Sequence, residues 1–310
     1  MRTVTITLNP AYDIHASAEN FEPFRETLAS VLSREAGGKG INISRALKRW
    51  GVRSTAAVVL GTENGEEFRS ALLSAGLELL CFEREGRIRE NLTLHTGSRE
   101  TRISFSGFRT DASVLDEIKN AVKADEDTLV TFTGRVPDGI GADAAEEFLL
   151  ELKAQGARIV LDSKSLDFEH ICRIKPWLIK PNREEVSEYF GCEINSAEKA
   201  AEKAAEFYRG GVENAAVSLG EKGLLMACGE GIFEAKPPKI ETVSTVGAGD
   251  SAVAGFIAAS AEGKRPWEAL GLAAAFGTAA CLTKGSMPPE KEDIRRIAAR
   301  VKVRRLRSSV

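Results

Sequence analysis

Ser244-Thr245-Val246-Gly247-Ala248-Gly249-Asp250-Ser251 leads straight into the helical run Ala252-Val253-Ala254-Gly255-Phe256-Ile257. Two glycines before a helix let the backbone turn tightly and aim several N–H groups at one point. The first-turn N–H groups of a helix have no intrahelical partner, and the helix dipole adds partial positive charge there. Such a place holds a phosphate or a developing oxyanion. Asp250 lies at the same end. Its carboxylate can cap the helix, or it can act as a general base beside a phosphoryl group; the complete Thr-Val-Gly-Ala-Gly-Asp string favours the base. Gly247, Gly249 and Ala252 also satisfy G-x-G-x-x-A, a dinucleotide pattern. That reading sets a negative Asp250 against a pyrophosphate with no chemistry to perform. It also falls late in the chain, not after a first βα strand. Gly38-Lys39 does not complete a Walker A loop.

Outward from this turn, strand-like and helix-like segments alternate. The strand candidates are 4–8, 54–60, 128–132, 158–161, 177–179, 215–218, 223–227 and 231–235. Helix-like stretches lie at 40–50, 65–75, 111–122, 142–155, 183–190 and 196–208, and helical patterns at 250–261, 266–284 and 289–301 close the chain. This alternation predicts a parallel sheet with helices on both faces. Two segments break it. Residues 11–35 are polar and lack a helical period. Residues 88–107 read as a β-hairpin, with Leu92 and Leu94 on one face and Arg89, Asn91 and Thr93 on the other. A two-residue turn at Gly97-Ser98 pairs 91 with 104 and 93 with 102. The polar face then carries Arg89, Asn91, Thr93, Arg102, Ser104 and Ser106. Two arginines on so small a face repel unless an anion lies there or solvent covers it.

The 310 residues carry 42 Lys+Arg against 45 Asp+Glu, a net charge of −3, which argues against a dedicated nucleic-acid binder. With 43% hydrophobic residues the chain can bury a sizeable core, so global disorder is excluded. The basic run Lys302-Val303-Arg304-Arg305-Leu306-Arg307 reads as the solvated end of a last helix. The five cysteines are odd in number and include no C-x-x-C, so they encode neither a disulfide frame nor a zinc knuckle. All five read as small buried hydrophobes in the reducing cytosol. Thr3-Val4-Thr5-Ile6-Thr7-Leu8 alternates like a strand and not like a signal run. The longest apolar stretch, 269–282, is too short to span a bilayer. A cytoplasmic protein with no membrane and no nucleic-acid partner is expected.

Ala36-Gly37-Gly38-Lys39-Gly40-Ile41-Asn42-Ile43 is a second glycine-rich start to a helix. Consecutive glycines let a ligand approach the main chain. Asn42 can hydrogen-bond sugar hydroxyls and Lys39 supplies a positive charge; by itself the stretch is equally a tight loop. At these two motifs the sequence resembles the ribokinase/PfkB family of sugar kinases. The landmarks stand in the family's order: Leu8-Asn9-Pro10-Ala11-Tyr12-Asp13, the Gly-Gly-Lys-Gly-Ile-Asn loop, Ile179-Lys180-Pro181-Asn182-Arg183-Glu184-Glu185, Ser218-Leu219-Gly220 and Thr-Val-Gly-Ala-Gly-Asp. The resemblance implies a ribokinase-like three-layer α/β/α sandwich with a mostly parallel central sheet. Residues 1–10, 36–87 and 108–310 would form its core, and 11–35 with 88–107 a small β-sheet lid. It also implies ATP-dependent phosphorylation of a sugar hydroxyl with Mg²⁺, and a homodimer clasped through the lids.

Within the family the sequence looks most like the branch acting on phosphorylated hexoses. Phe105-Ser106-Gly107-Phe108 and the Gly-Gly-Lys-Gly loop look like 1-phosphofructokinase, which turns fructose 1-phosphate into fructose 1,6-bisphosphate. Arg89-Glu90-Asn91-Leu92 with Arg102 looks closer to the minor 6-phosphofructokinase, and tagatose-6-phosphate kinase belongs to the same branch. Thr133-Gly134-Arg135-Val136-Pro137 departs from the usual Ser-Gly-Ser-Leu-Pro, so Arg135 is an extra phosphate ligand or reshapes the sugar pocket. By this resemblance Asp13 and Asn42, with the Gly38 backbone, bind sugar hydroxyls. Arg89, Asn91 and Arg102, with Lys39, face the phosphorylated sugar. Lys180 and Asn182 lie near the ATP phosphates, and Glu185 meets Mg²⁺ through water. Ser218, Gly220 and Thr245 line the nucleotide, with Cys281 and Gly285 near adenine. Asp250 is the base, and the N–H groups of the Gly247-Ala248-Gly249 turn and of Asp250 steady the transferring group. His15, His95 and His170 read as surface or lid residues. A sugar-phosphate sensor that had lost turnover would be expected to have lost Asp250 or the Gly-Ala-Gly turn, and both are intact.

Overall fold

The computed structural model describes residues 1–97, 99–308 and 310. The chain opens with β1 (Arg2–Thr7), buried at every position but its first. Burial on both faces is what a central parallel strand requires. β2 (Ala11–Ser17) and β3 (Ser30–Gly37) follow, then α1 (Lys39–Trp50), β4 (Thr55–Gly61), α2 (Gly65–Ser74) and β5 (Glu78–Arg84). A hairpin of β6 (Arg89–Thr96) and β7 (Arg99–Ser104) comes next. The middle of the chain is α3 (Ser113–Val122), β8 (Thr128–Thr133), α4 (Ala142–Ala154), β9 (Arg158–Asp162), α5 (Phe168–Ile174) and β10 (Leu178–Ile179). It continues through α6 (Arg183–Phe190), α7 (Ala197–Arg209), β11 (Asn214–Ser218), β12 (Leu224–Cys228) and β13 (Gly231–Lys236). It closes with α8 (Ala248–Ala261), α9 (Pro266–Ala280), α10 (Lys291–Ala298) and β14 (Lys302–Arg307).

Ten strands form one sheet in the order β14-β13-β12-β11-β10-β9-β8-β1-β4-β5. From β5 to β11 neighbouring strands are parallel, and β12 to β14 add an antiparallel flank. Successive residues of β8 serve opposite faces. Val130 packs with Val114, Ile118 and Leu149 from α3 and α4, while Leu129 packs with Leu47, Val253 and Phe276 from α1, α8 and α9. These are the two helical layers of the expected α/β/α sandwich. Chain order reverses at β1, which lies between β8 and β4. In open α/β sheets ligands bind beyond the carboxyl ends of the strands at such a reversal.

The two irregular segments build a separate four-stranded sheet, β3-β2-β6-β7. Its hairpin pairs Asn91 with Ser104 and Thr93 with Arg102, the register expected from the sequence. Of the expected turn residues, Ser98 lies outside the described residues. β2 runs parallel to β6 with Asp13 opposite Asn91 and His15 opposite Thr93. The polar side chains of β2, β6 and β7 therefore share one face. On the other, Tyr12 and Ala36 pack with Ile41, Phe68 and Leu72 of the body.

Three expectations need correction. Residues 302–307 are not a helix end: α10 stops at Ala298, and the basic run pairs antiparallel with β13 as the outermost strand. The cause is Glu234, 4% exposed on β13, whose carboxylate accepts a 2.5 Å bond from Arg304 Nε. A row of cations also suits an exposed sheet edge, because it discourages further pairing. The sequence reading also lacked β5 and α5. Finally, all five cysteines are free, but only Cys228 is fully buried. Among the described residues no helix is long and apolar enough to cross a membrane.

Candidate functional site

β1, β8, β9, β10 and β11 end around one hollow, with the start of α8 facing them. Gly247 caps α8 with φ 74°, a conformation that suits glycine. Ala248 N–H bonds Thr245 O at 3.3 Å and Ser251 N–H bonds Gly247 O at 2.8 Å. Among the described residues the N–H groups of Gly249 and Asp250 have no backbone acceptor. Lys180, which follows β10 and is 4% exposed, brings its ammonium to this turn. A Cβ on Gly249 would stand 3.4 Å from Lys180 Nζ. The turn, the free N–H groups and the ammonium together form a cradle that fits a nucleotide's terminal phosphates.

Asp250 is 7% exposed, and its Oδ2 accepts a 2.9 Å hydrogen bond from Asn42 Nδ2. Asn42 Oδ1 is buried without a partner, an acceptor left over for a hydroxyl donor. Lys39 Nζ bonds Asp162 Oδ2 at 3.1 Å at the end of β9. Burial pushes the Asp250 carboxyl up to about 6, and the nearby Asp162 charge adds to this against the pull of Lys39, Asn42 and Lys180. Asp162 is buried too, but Lys180 and Lys39 outweigh that and hold it below its ordinary value. Burial works against the Lys39 charge, yet Asp162 and Asp250 raise it overall. Two carboxyls in one hollow with values driven apart are the pattern of a divided acid–base role.

On the small sheet, Asp13 Oδ1 accepts from Asn91 Nδ2 at 2.9 Å and Arg89 Nη1 donates to Asn91 Oδ1 at 3.2 Å. Arg89 Nε is buried without a partner. Burial lowers the Arg89 guanidinium, Asp13 works against that, and the Arg135 charge adds to it, so the two arginines lie within each other's field. Arg102 and Arg135 are exposed and lean on Glu100 (3.4 Å) and Asp138 (3.6 Å). Asp13, Arg89 and Asn91 thus form one cluster with Arg135 in its field. Arg102 shares their face across the register, and Lys39 lies apart from them, against Asp162.

Asn182 and Glu185 form a reciprocal capping box at α6, with two 2.8 Å bonds. That structural duty takes one Glu185 oxygen. The other lies 3.8 Å from Lys164 Nζ, and Glu185 lines a small cavity with Asp162 and Ser163. An acidic oxygen at a cavity beside the phosphate cradle fits a water-bridged Mg²⁺, which takes few protein ligands. Ser218 ends β11 and bridges to Asn182. Gly220 opens the next turn at φ 62°. Thr245 leads into the α8 turn, and Cys281 O accepts from Val243 N–H at 2.8 Å. Gly285 lies under His15, 3.2 Å from its Nε2 to a Cβ placed there, and His15 Nδ1 meets His95 Nε2 at 3.0 Å.

Two groups escaped the sequence reading. Asp162 had a signal: an acid closing an apolar strand, in Val160-Leu161-Asp162. The hydroxyl of Ser286, buried without a partner beside Gly247, had none. A further cluster of Asp143, Glu146 and His170 lies apart. Arg173 bonds both Glu146 oxygens at 2.6 and 2.7 Å, so it is an ion-pair group.

The model of the family described as pfkB family carbohydrate kinase matches residues 6–293. The chain is 33% identical to a 1-phosphofructokinase of Bacillus subtilis, over 97% of this chain and 99% of that one. It is 33% identical to a 1-phosphofructokinase of Haemophilus influenzae over 88% of each. Among solved structures it superposes on phosphofructokinase-2 from Escherichia coli, determined in complex with substrates and products. There the TM-score is 0.90 and the identity 26%, over 97% of this chain and 99% of that one.

Proposed function

The chain belongs to the pfkB family of carbohydrate kinases, and from that premise we propose that it transfers the γ-phosphoryl group of ATP to fructose 1-phosphate, giving fructose 1,6-bisphosphate. The observation that carries the reading is Asp250. It is a buried carboxyl raised to about 6, held by Asn42 at the start of α8, where free N–H groups and Lys180 converge.

Asp13 and Asn42 accept hydrogen bonds from the sugar hydroxyls. Arg89, with Arg102 and Arg135 on the open side, takes the phosphate already on the sugar. Charged hydrogen bonds of this kind contribute about 1.5–3 kcal/mol each. Asp250 takes the proton of the attacking hydroxyl, its oxygen bonds the γ-phosphorus, and ADP leaves. The N–H groups of Gly249 and Asp250 with Lys180 steady the equatorial oxygens of the transferring group, while Ala248 N–H, bonded to Thr245 O, holds the turn. Lys180 and Asn182 flank the phosphates, and Ser218, Gly220, Thr245, Cys281 and Gly285 line the nucleotide. Glu185 would hold Mg²⁺ through water. A bound ion would supply positive charge against that of the nucleotide phosphates.

Fructose 6-phosphate is the second reading, favoured by the superposition on phosphofructokinase-2. An ADP-release assay with fructose 1-phosphate, fructose 6-phosphate and tagatose 6-phosphate side by side tests the choice. Fastest turnover on fructose 1-phosphate is expected; preference for either 6-phosphate transfers the assignment to that substrate, and preference for free fructose removes it from this branch.

The small sheet is proposed as a lid that also joins two copies of the chain. In support, Phe24, Leu28, Val31 and Leu32 are exposed on its β3 side. A cytoplasmic location completes the reading.

A further inference from the structure

We propose that Asp162 is a positioning residue for phosphoryl transfer, holding the Lys39 ammonium at the edge of the hollow so that it meets the incoming phosphoryl group and does not neutralise Asp250. The inference rests on Asp250 being the base. Asp162 closes β9, two strands from the switch at β1, and its side chain is 4% exposed. Lys39 is the first residue of α1, and Asn42, one turn on, bonds Asp250. The Lys39 ammonium therefore has three carboxylates in its field, Asp162, Asp250 and Glu185, and its hydrogen bond goes to Asp162. The charged and polar groups facing Asp250 are Lys39 and Asn42 from α1, Asp162 from β9 and Lys180 after β10. Two cations and two carboxylates thus balance before substrate binds. Bonded to Asp250, Lys39 would stabilise the carboxylate and make it a weaker proton acceptor. Bonded to Asp162, it keeps its charge while Asp250 retains its affinity for a proton. When a phosphoryl group brings further negative charge to the turn, Lys39 has only to exchange one oxygen ligand for another.

The test uses Asp162→Asn, close to isosteric, with ATP and whichever of the three hexose phosphates turns over fastest. Turnover and kcat/KM are measured over about pH 5 to 9. A fall in kcat of about ten- to a hundredfold is expected. The acid limb should also move to lower pH by roughly one unit, because losing the Asp162 charge and releasing Lys39 toward Asp250 act in the same direction. A limb that stays in place or moves up overturns the inference, since a merely structural role would lower the yield of folded enzyme without moving it. Asp162→Asn leaves buried Lys180 and part-exposed Lys39 short of a counter-charge and can fail to fold, so Lys39→Met is paired with it. In the Lys39→Met background, Asp162→Asn should change kcat by less than about threefold. A further tenfold loss there overturns the inference. Asp250→Asn separates the two levels. If it keeps near-normal turnover, the base assignment and this inference both fall. If it is inactive while the Asp162→Asn limb is unmoved, only the positioning role falls.

Discussion

At the scale of single residues, Asp250 carries two predictions. Asp250→Asn should lower kcat by about 10²–10⁴-fold, and in the native enzyme kcat/KM should fall as pH drops below about 6, where Asp250 gains its proton. Stability should move oppositely. The folded-state value lies above the ordinary 3.8, so the native chain binds more protons than the unfolded one between these limits, and stability declines as pH rises through that window. Replacing the buried charge with a neutral amide should then raise the melting temperature near pH 8 and leave it nearly unchanged near pH 4. A lower melting temperature at both values would refute the assignment of burial as the dominant cause. For Arg89→Ala, KM for the sugar phosphate should rise about tenfold or more, from losing roughly 1.5–3 kcal/mol; an unchanged KM would place the phosphate elsewhere. Asp250 and Asn42 could be placed from sequence because each sits in a glycine-rich start to a helix, whereas Asp13, inside β2, entered only through the family resemblance. Asp162 was overlooked, because its one signal, an acid closing an apolar strand, does not say that the end of β9 lies beside Lys39.

At the scale of elements, the inner parallel strands were legible because burial on both faces leaves apolar runs such as Thr55–Gly61; the parallel edge strand β5, only partly buried, was not. Elements whose residues answer to a partner elsewhere were not. β14 carries four cations in six positions and is a strand because buried Glu234 on β13 needs Arg304. The seven-residue α5 depends on Asp167 capping it through His170 N–H at 2.9 Å. The pair α8–α9 is a different case, mostly apolar and readable as helix, with its close spacing permitted by Gly255 and Gly277. A Cβ on Gly255 would lie 2.6 Å from Ala273 Cα, backbone that cannot yield by turning a rotamer. Gly255→Ala should therefore cost about 1–3 kcal/mol of stability, measured by urea unfolding. Because α8 begins at the phosphate cradle, KM for ATP should rise in the same variant. Unchanged stability would mean that the two helices can slide apart freely.

At the scale of the whole molecule, the small sheet poses a problem that one chain does not solve. It carries Asp13, Asn91 and Arg89, and it meets the body through Tyr12 and Ala36 at its base, an ion pair from Arg34 to Glu67 and His15 beside Gly285. Its free side leaves Leu28, Val31 and Leu32 open to solvent around the edge strand β3. Apolar contact of this kind marks an association surface, and an exposed strand edge with few charges invites pairing. A second copy would cover both and would hold the proposed sugar-binding cluster against the body. Leu32→Glu puts a charge into that contact and is not in the site. Sedimentation velocity should find the native chain dimeric and this variant monomeric at the same concentration. KM for the sugar phosphate should rise severalfold while the acid limb set by Asp250 stays in place, because α8 does not touch the small sheet's free side. A variant that remains dimeric would move the interface elsewhere, and a monomer with unchanged KM would show that the sheet holds its geometry alone.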